Sequence, residues 1–123
     1  MKMWELIRRL LESAVPAQRY HPVTVLGRYY RELKKGSFEQ LPPFDQSVVF
    51  ACSISAEMQQ IGLIELAKSG SWSGGMTRTA FGEELHHFLK ADDAVKTLES
   101  NLVELDAHRL RNILNGSSVV HER

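Results

Sequence analysis

The sequence predicts a mainly α-helical fold with one small β-hairpin: about five helices and a two-stranded element. Three observations predict it. Apolar residues recur at steps of three and four along five separate stretches, which is the helical period. Between the third and fourth of these, Ile61-Gly62-Leu63-Ile64-Glu65-Leu66, the Gly/Ser-rich stretch Lys68 to Gly75, and Met76 to Leu85 read as helix end, strand, tight turn, strand and helix start. Finally, 123 residues with 43% hydrophobic and 24% charged side chains suit one domain over 1–123. A chain of this length buries enough surface to form a core without metal or disulfide staples.

The first helix is predicted over Met3 to Val15, with Trp4, Ile7, Leu10, Leu11 and Ala14 on one apolar stripe and Pro16 as its stop. The second spans about Val23 to Lys35; Leu26, Tyr29, Tyr30 and Leu33 mark its inner face, and Lys34-Lys35-Gly36 supplies charge and a stop at its C-terminus. Leu41-Pro42-Pro43 imposes an extended connector. A third helix runs from Phe44 or Asp45 to Ile61, where Val48, Ala51, Cys52, Ser55, Met58 and Ile61 keep helical spacing, Asp45 is the N-cap candidate and Gly62 closes the element. Leu63 to Ala67 forms the first strand. Thr79 caps the fourth helix, whose buried side is Phe81, Leu85, Phe88 and Leu89. A fifth helix extends over 93–115, begun by Asp92 or Asp93.

Charge is balanced in total and uneven along the chain. Residues 1–35 hold eight Lys/Arg against three Asp/Glu, whereas 36–67 hold four acidic residues and neither Lys nor Arg. A nucleic-acid contact would therefore lean on the first third. Cys52 is the only cysteine, which excludes an internal disulfide and a multi-cysteine metal site. Its apolar surroundings, Val48 to Ala51, predict a core thiol. No apolar run approaches the roughly 18 residues of a membrane span, and the charged N-terminal helix is unlike a signal-peptide core, so no membrane partner and a cytoplasmic location are expected.

Met58-x-x-x-Gly62-Leu63-Ile64 together with Thr79-x-x-Gly82-Glu83-Glu84-Leu85 resembles the wing region of winged helix-turn-helix proteins, in particular the MarR-like and PadR-like bacterial regulators. The likeness covers about 30 residues, and its short motifs report a shape. It implies a winged-helix-like domain with flanking N-terminal (3–15) and C-terminal (93–115) helices. In the regulators, the helix before the wing reads DNA and the terminal helices dimerise. This sequence departs from their pattern in three ways. The would-be recognition helix carries no Lys or Arg, although phosphate and guanine contacts come largely from those residues. The connector from Gly36 to Pro43 is longer than the three- to four-residue turn of a helix-turn-helix. Arg78 stands where an apolar residue is usual before the threonine, and Ala80 replaces the usual proline.

The candidate contact residues follow from these features. Trp72 sits at the predicted hairpin tip among Ser and Gly residues that cannot bury it, flanked by Lys68 and Arg78, so this wing is either a partner-binding anchor or a lid folded over the core. Arg28, Arg31, Lys34 and Lys35, with Gln46, Gln59 and Gln60 of the third helix, form an alternative nucleic-acid or partner surface; Ser47, Ser53 and Glu57 are expected to be exposed beside those glutamines. Val95, Leu98, Leu102 and Leu105 repeat at steps of three, four and three, which fits either packing on the domain's own core or a homodimer seam. None of His21, His86, His87, His108 and His121 falls in an HExxH spacing, and Ser71 to Gly75 lacks the Lys-Ser/Thr of a phosphate loop. No cofactor, metal or catalytic residue is therefore assigned.

The sequence thus points to a non-enzymatic binding module, a protein-interaction or assembly subunit with DNA-backbone contact as an accessory. The alternative is a MarR/PadR-like dimeric DNA-binding transcriptional regulator. The basic-free third helix discriminates between them.

Overall fold

Trp4, Leu6, Ile7, Leu10 and Leu11 give the first helix one wide apolar face, nearly half its circumference, and all five are fully buried. A helix so dressed belongs inside a helical assembly. In a computed structural model, which describes residues 2–16, 18–36, 41–67, 75–91 and 93–120 (with side chains except at 36 and 116–120), that helix is α1 (Met3–Ser13). It is followed by α2 (Pro22–Gly36), α3 (Phe44–Gln60), β1 (Ile64–Leu66), β2 (Met76–Arg78), α4 (Ala80–Phe88), α5 (Ala94–Asn101) and α6 (Ala107–Val120). The fold is mainly helical with one two-stranded antiparallel sheet. α1 touches α2, α3, α4 and α5 and is the central strut of the helices.

The described residues form six helices rather than five. The predicted helix over 93–115 breaks after Asn101: Leu102 is extended (φ −145°, ψ 103°), and α6 restarts behind Asp106, whose carboxylate accepts from the Arg109 backbone N–H at 3.0 Å. That bond is an N-cap. The break lets the Leu102 carbonyl accept from the Trp4 indole Nε1–H at 2.8 Å. The Val95-Leu98-Leu102-Leu105 stripe is accordingly not one helical seam. Leu98 and Leu102 are fully buried within the chain, and Val95 and Leu105 are partly buried against the same core.

Gly62 ends α3 as its sequence position predicts, with φ at +87°, a conformation that glycine adopts without cost. Its N–H donates to the Gln59 carbonyl at 3.2 Å, and the Leu63 N–H donates to that of Met58 at 2.8 Å. This pair is a Schellman closure, which turns the chain directly into β1. The strands pair Ile64 with Arg78, Glu65 with Thr77 and Leu66 with Met76. Thr79 then performs two tasks. Its hydroxyl oxygen accepts from the Gly82 N–H at 3.0 Å, capping α4, while its proton is directed to the carbonyls of Gly62 and Leu63. Asp45 does not cap α3, because the helix begins at Phe44 behind Pro43; its carboxylate accepts from the neighbouring Gln46 N–H.

On α3 the expected inner residues Ala51 and Met58 are buried and Val48, Ser55 and Ile61 partly so, but the buried face is turned toward Ser47 and Ile54 and away from Cys52. Ser47, Ala51, Ile54 and Met58 face inward, and Cys52 is exposed. The expected core thiol and the expected exposed Ser47 have exchanged roles. The cause is Tyr30 of α2, whose hydroxyl donates to the Pro42 carbonyl at 2.7 Å and so accepts from the Ser47 hydroxyl at 2.5 Å. A satisfied serine is buried without penalty, and the helix rotates to place it.

Candidate functional site

The rotation of α3 determines what the third helix shows to solvent. Its outer face carries Gln46, Val49, Phe50, Cys52, Ser53, Ala56, Glu57, Gln59 and Gln60. Val49 is 66% exposed and Phe50 38%, so two large apolar side chains lie in water one turn from the helix start. Phe44 adds a third at the N-terminus, its ring edge-on to Tyr30 at 5.2 Å between centroids. The charged groups of this helix are Asp45 and Glu57, both exposed and both acidic. The helix offers phosphate no cation, only the amides of Gln46, Gln59 and Gln60.

The cations of the candidate surface lie on α2. Arg28, Arg31, Lys34 and Lys35 are all exposed, with 28, 31 and 35 on one stripe, and none has an ion pair among the described residues. Arg31 and Lys34 border a groove of about 510 Å³ whose apolar wall is Leu41, Pro42, Pro43 and Phe44. The predicted surface is thus two adjoining faces of different character: basic on α2, and apolar and acidic on α3. Glu32, on the same exposed side of α2, is taken up by Arg9 of α1 through two contacts of 2.8 Å, and this guanidinium holds its carboxyl below the ordinary range.

Arg78 does not stand free beside the hairpin. Its Nε–H donates to Glu83 at 2.7 Å and its Nη1–H to the Leu11 carbonyl at 2.6 Å. The guanidinium thereby ties β2 to α4 and to the C-terminal end of α1. Replacing Arg78 with alanine removes two charge-assisted bonds and leaves the Leu11 carbonyl with the Ala14 N–H at 3.2 Å, a loss of about 2 kcal/mol on typical magnitudes. Chemical denaturation reads this loss directly; lysine, with a point charge in place of a fork, is expected to restore less than half of it. Lys68 and Trp72 lie outside the described residues.

Tyr20 links the segment before α2 to α3, its hydroxyl sharing a hydrogen bond with Ser55 at 2.7 Å. Burial pushes its pKa up to about 12, the Ser55 bond works the other way, and the nearby Cys52 adds to the rise. A folded-state pKa above the unfolded value near 10 gives stability that is complete below pH 10 and is lost as pH climbs toward 12. Alkaline denaturation followed by circular dichroism should show that loss, and Tyr20→Phe should flatten it.

Among the described residues no three His, Cys, Asp or Glu side chains lie close enough to hold a metal ion, and no helix is long and apolar enough to cross a membrane. No known family model, curated protein or solved structure matches the chain.

Proposed function

We propose that the chain is a non-enzymatic, winged-helix-like binding module that contacts a protein partner through the outer face of α3. The observation that carries this reading is the pairing of exposed Val49 and Phe50 with two carboxylates and no cation on that face. Apolar side chains exposed at adjacent positions and rimmed by polar ones are characteristic of protein contact. The complementary partner surface is an apolar patch with a basic rim facing Asp45 and Glu57. The order of helix, Schellman turn, hairpin and capped helix supports the winged-helix-like description.

A photo-crosslinking amino acid placed at Phe50 in living cells tests the reading. Expected is a discrete protein adduct that is absent when the crosslinker sits at Glu104 and is suppressed by Val49→Glu. Adducts to nucleic acid, or equal adducts from both positions, overturn it. The second reading, a MarR/PadR-like dimeric regulator, is favoured by one observation, the stripe Arg28, Arg31 and Lys35, without ion pairs among the described residues, with Lys34 beside it. Those cations suit phosphate contact without base reading.

A further inference from the structure

A groove of about 600 Å³ lies elsewhere, between α1, α2, α5 and the turn after α4. Its volume is that of small-ligand sites, and no residue of α3 lines it. Tyr29, Leu33, Leu89 and Val95 make an apolar floor; Tyr29 and Leu89 are buried and the other two partly so. Around the mouth stand Lys2, Lys90 and Lys96, delivered by three separate segments. All three are exposed, and none has an ion pair among the described residues.

The one carboxylate lining the groove, Glu5, is not available to neutralise them. It is engaged by Arg8 and, at 2.9 Å, by Arg9. Glu99, at the opening of α1, is likewise occupied, accepting from the Trp4 N–H at 3.0 Å. Three ammonium groups line one groove against a single lining carboxylate, itself held by Arg8 and Arg9, and this excess of positive charge favours a multiply charged anion over a monocarboxylate. The apolar floor requires that the anion carry an apolar body.

We infer that this groove binds a small phosphorylated molecule with an aromatic or aliphatic body, the phosphate held by Lys2, Lys90 and Lys96 and the body laid on the partly exposed Leu33 and Val95, with Tyr29 and Leu89 buried beneath. The inference stands on residues that the α3 reading does not use. Neither depends on the other.

Titration of the full chain with 1-naphthyl phosphate, followed by the naphthyl fluorescence and by calorimetry, tests it. The expected result is saturable binding at least about tenfold tighter than that of inorganic phosphate or 1-naphthol, since each alone fills half of the site. Lys90→Glu/Lys96→Glu should weaken it by about tenfold or more, Lys90→Gln/Lys96→Gln by less, and Lys34→Glu on α2 not at all. Circular dichroism confirms that each variant is folded, and the glutamine pair keeps the test available if the glutamate pair is not. No saturation by 1-naphthyl phosphate, equal affinity for inorganic phosphate, or equal weakening by Lys34→Glu overturns the inference.

Discussion

Replacing Trp4 with alanine is expected to lower the free energy of unfolding by about 3–5 kcal/mol, the range for deleting a large aromatic side chain from a core. The indole is fully buried at the start of α1 and donates from Nε1 to the Leu102 carbonyl at 2.8 Å, where α5 ends. It thereby joins the central helix to the bend that separates α5 from α6. Alanine opens a cavity there and also strands that carbonyl. Trp4→Phe separates the two effects: most of the volume remains, the hydrogen bond is lost, and about 1–3 kcal/mol should go with it. Urea denaturation of the three proteins measures both. Equal stability of Trp4→Phe and the parent would show that the Leu102 bond contributes nothing. Since domains of this kind carry about 5–15 kcal/mol in total, Trp4→Ala leaves the fold marginal.

The second large effect is expected at Gly82. A Cβ built there meets the Leu63 carbonyl oxygen at 2.0 Å and its carbon at 3.0 Å, and both are backbone atoms that have no rotamer to yield. Alanine must therefore push the first turn of α4 away from the start of β1. The displacement strikes the Thr79 N–H bond to the Leu63 carbonyl, at 3.1 Å, and the bonds of the Thr79 hydroxyl to Gly62 and Leu63. Overpacking against backbone belongs at the upper end of its usual cost, roughly 3 kcal/mol. A fall in melting temperature on the order of 10 °C follows for a chain of this size. Gly27→Ala is the control: nothing lies within 4 Å of a Cβ at that position. There the substitution is expected to be neutral or mildly stabilising through higher helix propensity, by up to about 1 kcal/mol.

Some of this architecture is written locally in the chain, and some is not. The α1 stripe, the Gly62 closure and the Thr79 cap depend on neighbours within a few residues, so spacing and residue type suffice to read them. The break between α5 and α6 is different. Val95, Leu98, Leu102 and Leu105 keep a helical step across a point where the helix stops, because Leu102 is buried from an extended backbone against a tryptophan 98 positions away. The local signal was Asp106, an N-cap residue inside an apparently continuous pattern.

The phase of α3 was hidden for a similar reason. Hydropathy places Cys52 inside and Ser47 outside, but it does not register that Tyr30 satisfies the serine hydroxyl. Arg78 read as a free wing cation because its acceptor, the Leu11 carbonyl, is 67 residues distant. The absence of Lys and Arg from the third helix was visible at once. The sequence did not show that Val49 and Phe50 turn to solvent, which makes the face apolar as well as uncationic.

Fluorescence anisotropy with a mixed-sequence duplex, at low and at physiological salt, decides whether α3 presents a protein-contacting face or a DNA-reading one. With two carboxylates and no cation on α3, no saturable binding is expected at physiological salt and at most weak binding at low salt through α2, diminished by Arg31→Ala/Lys34→Ala. Tight, salt-sensitive binding that is abolished by alanine at Gln46, Gln59 and Gln60 would contradict that expectation.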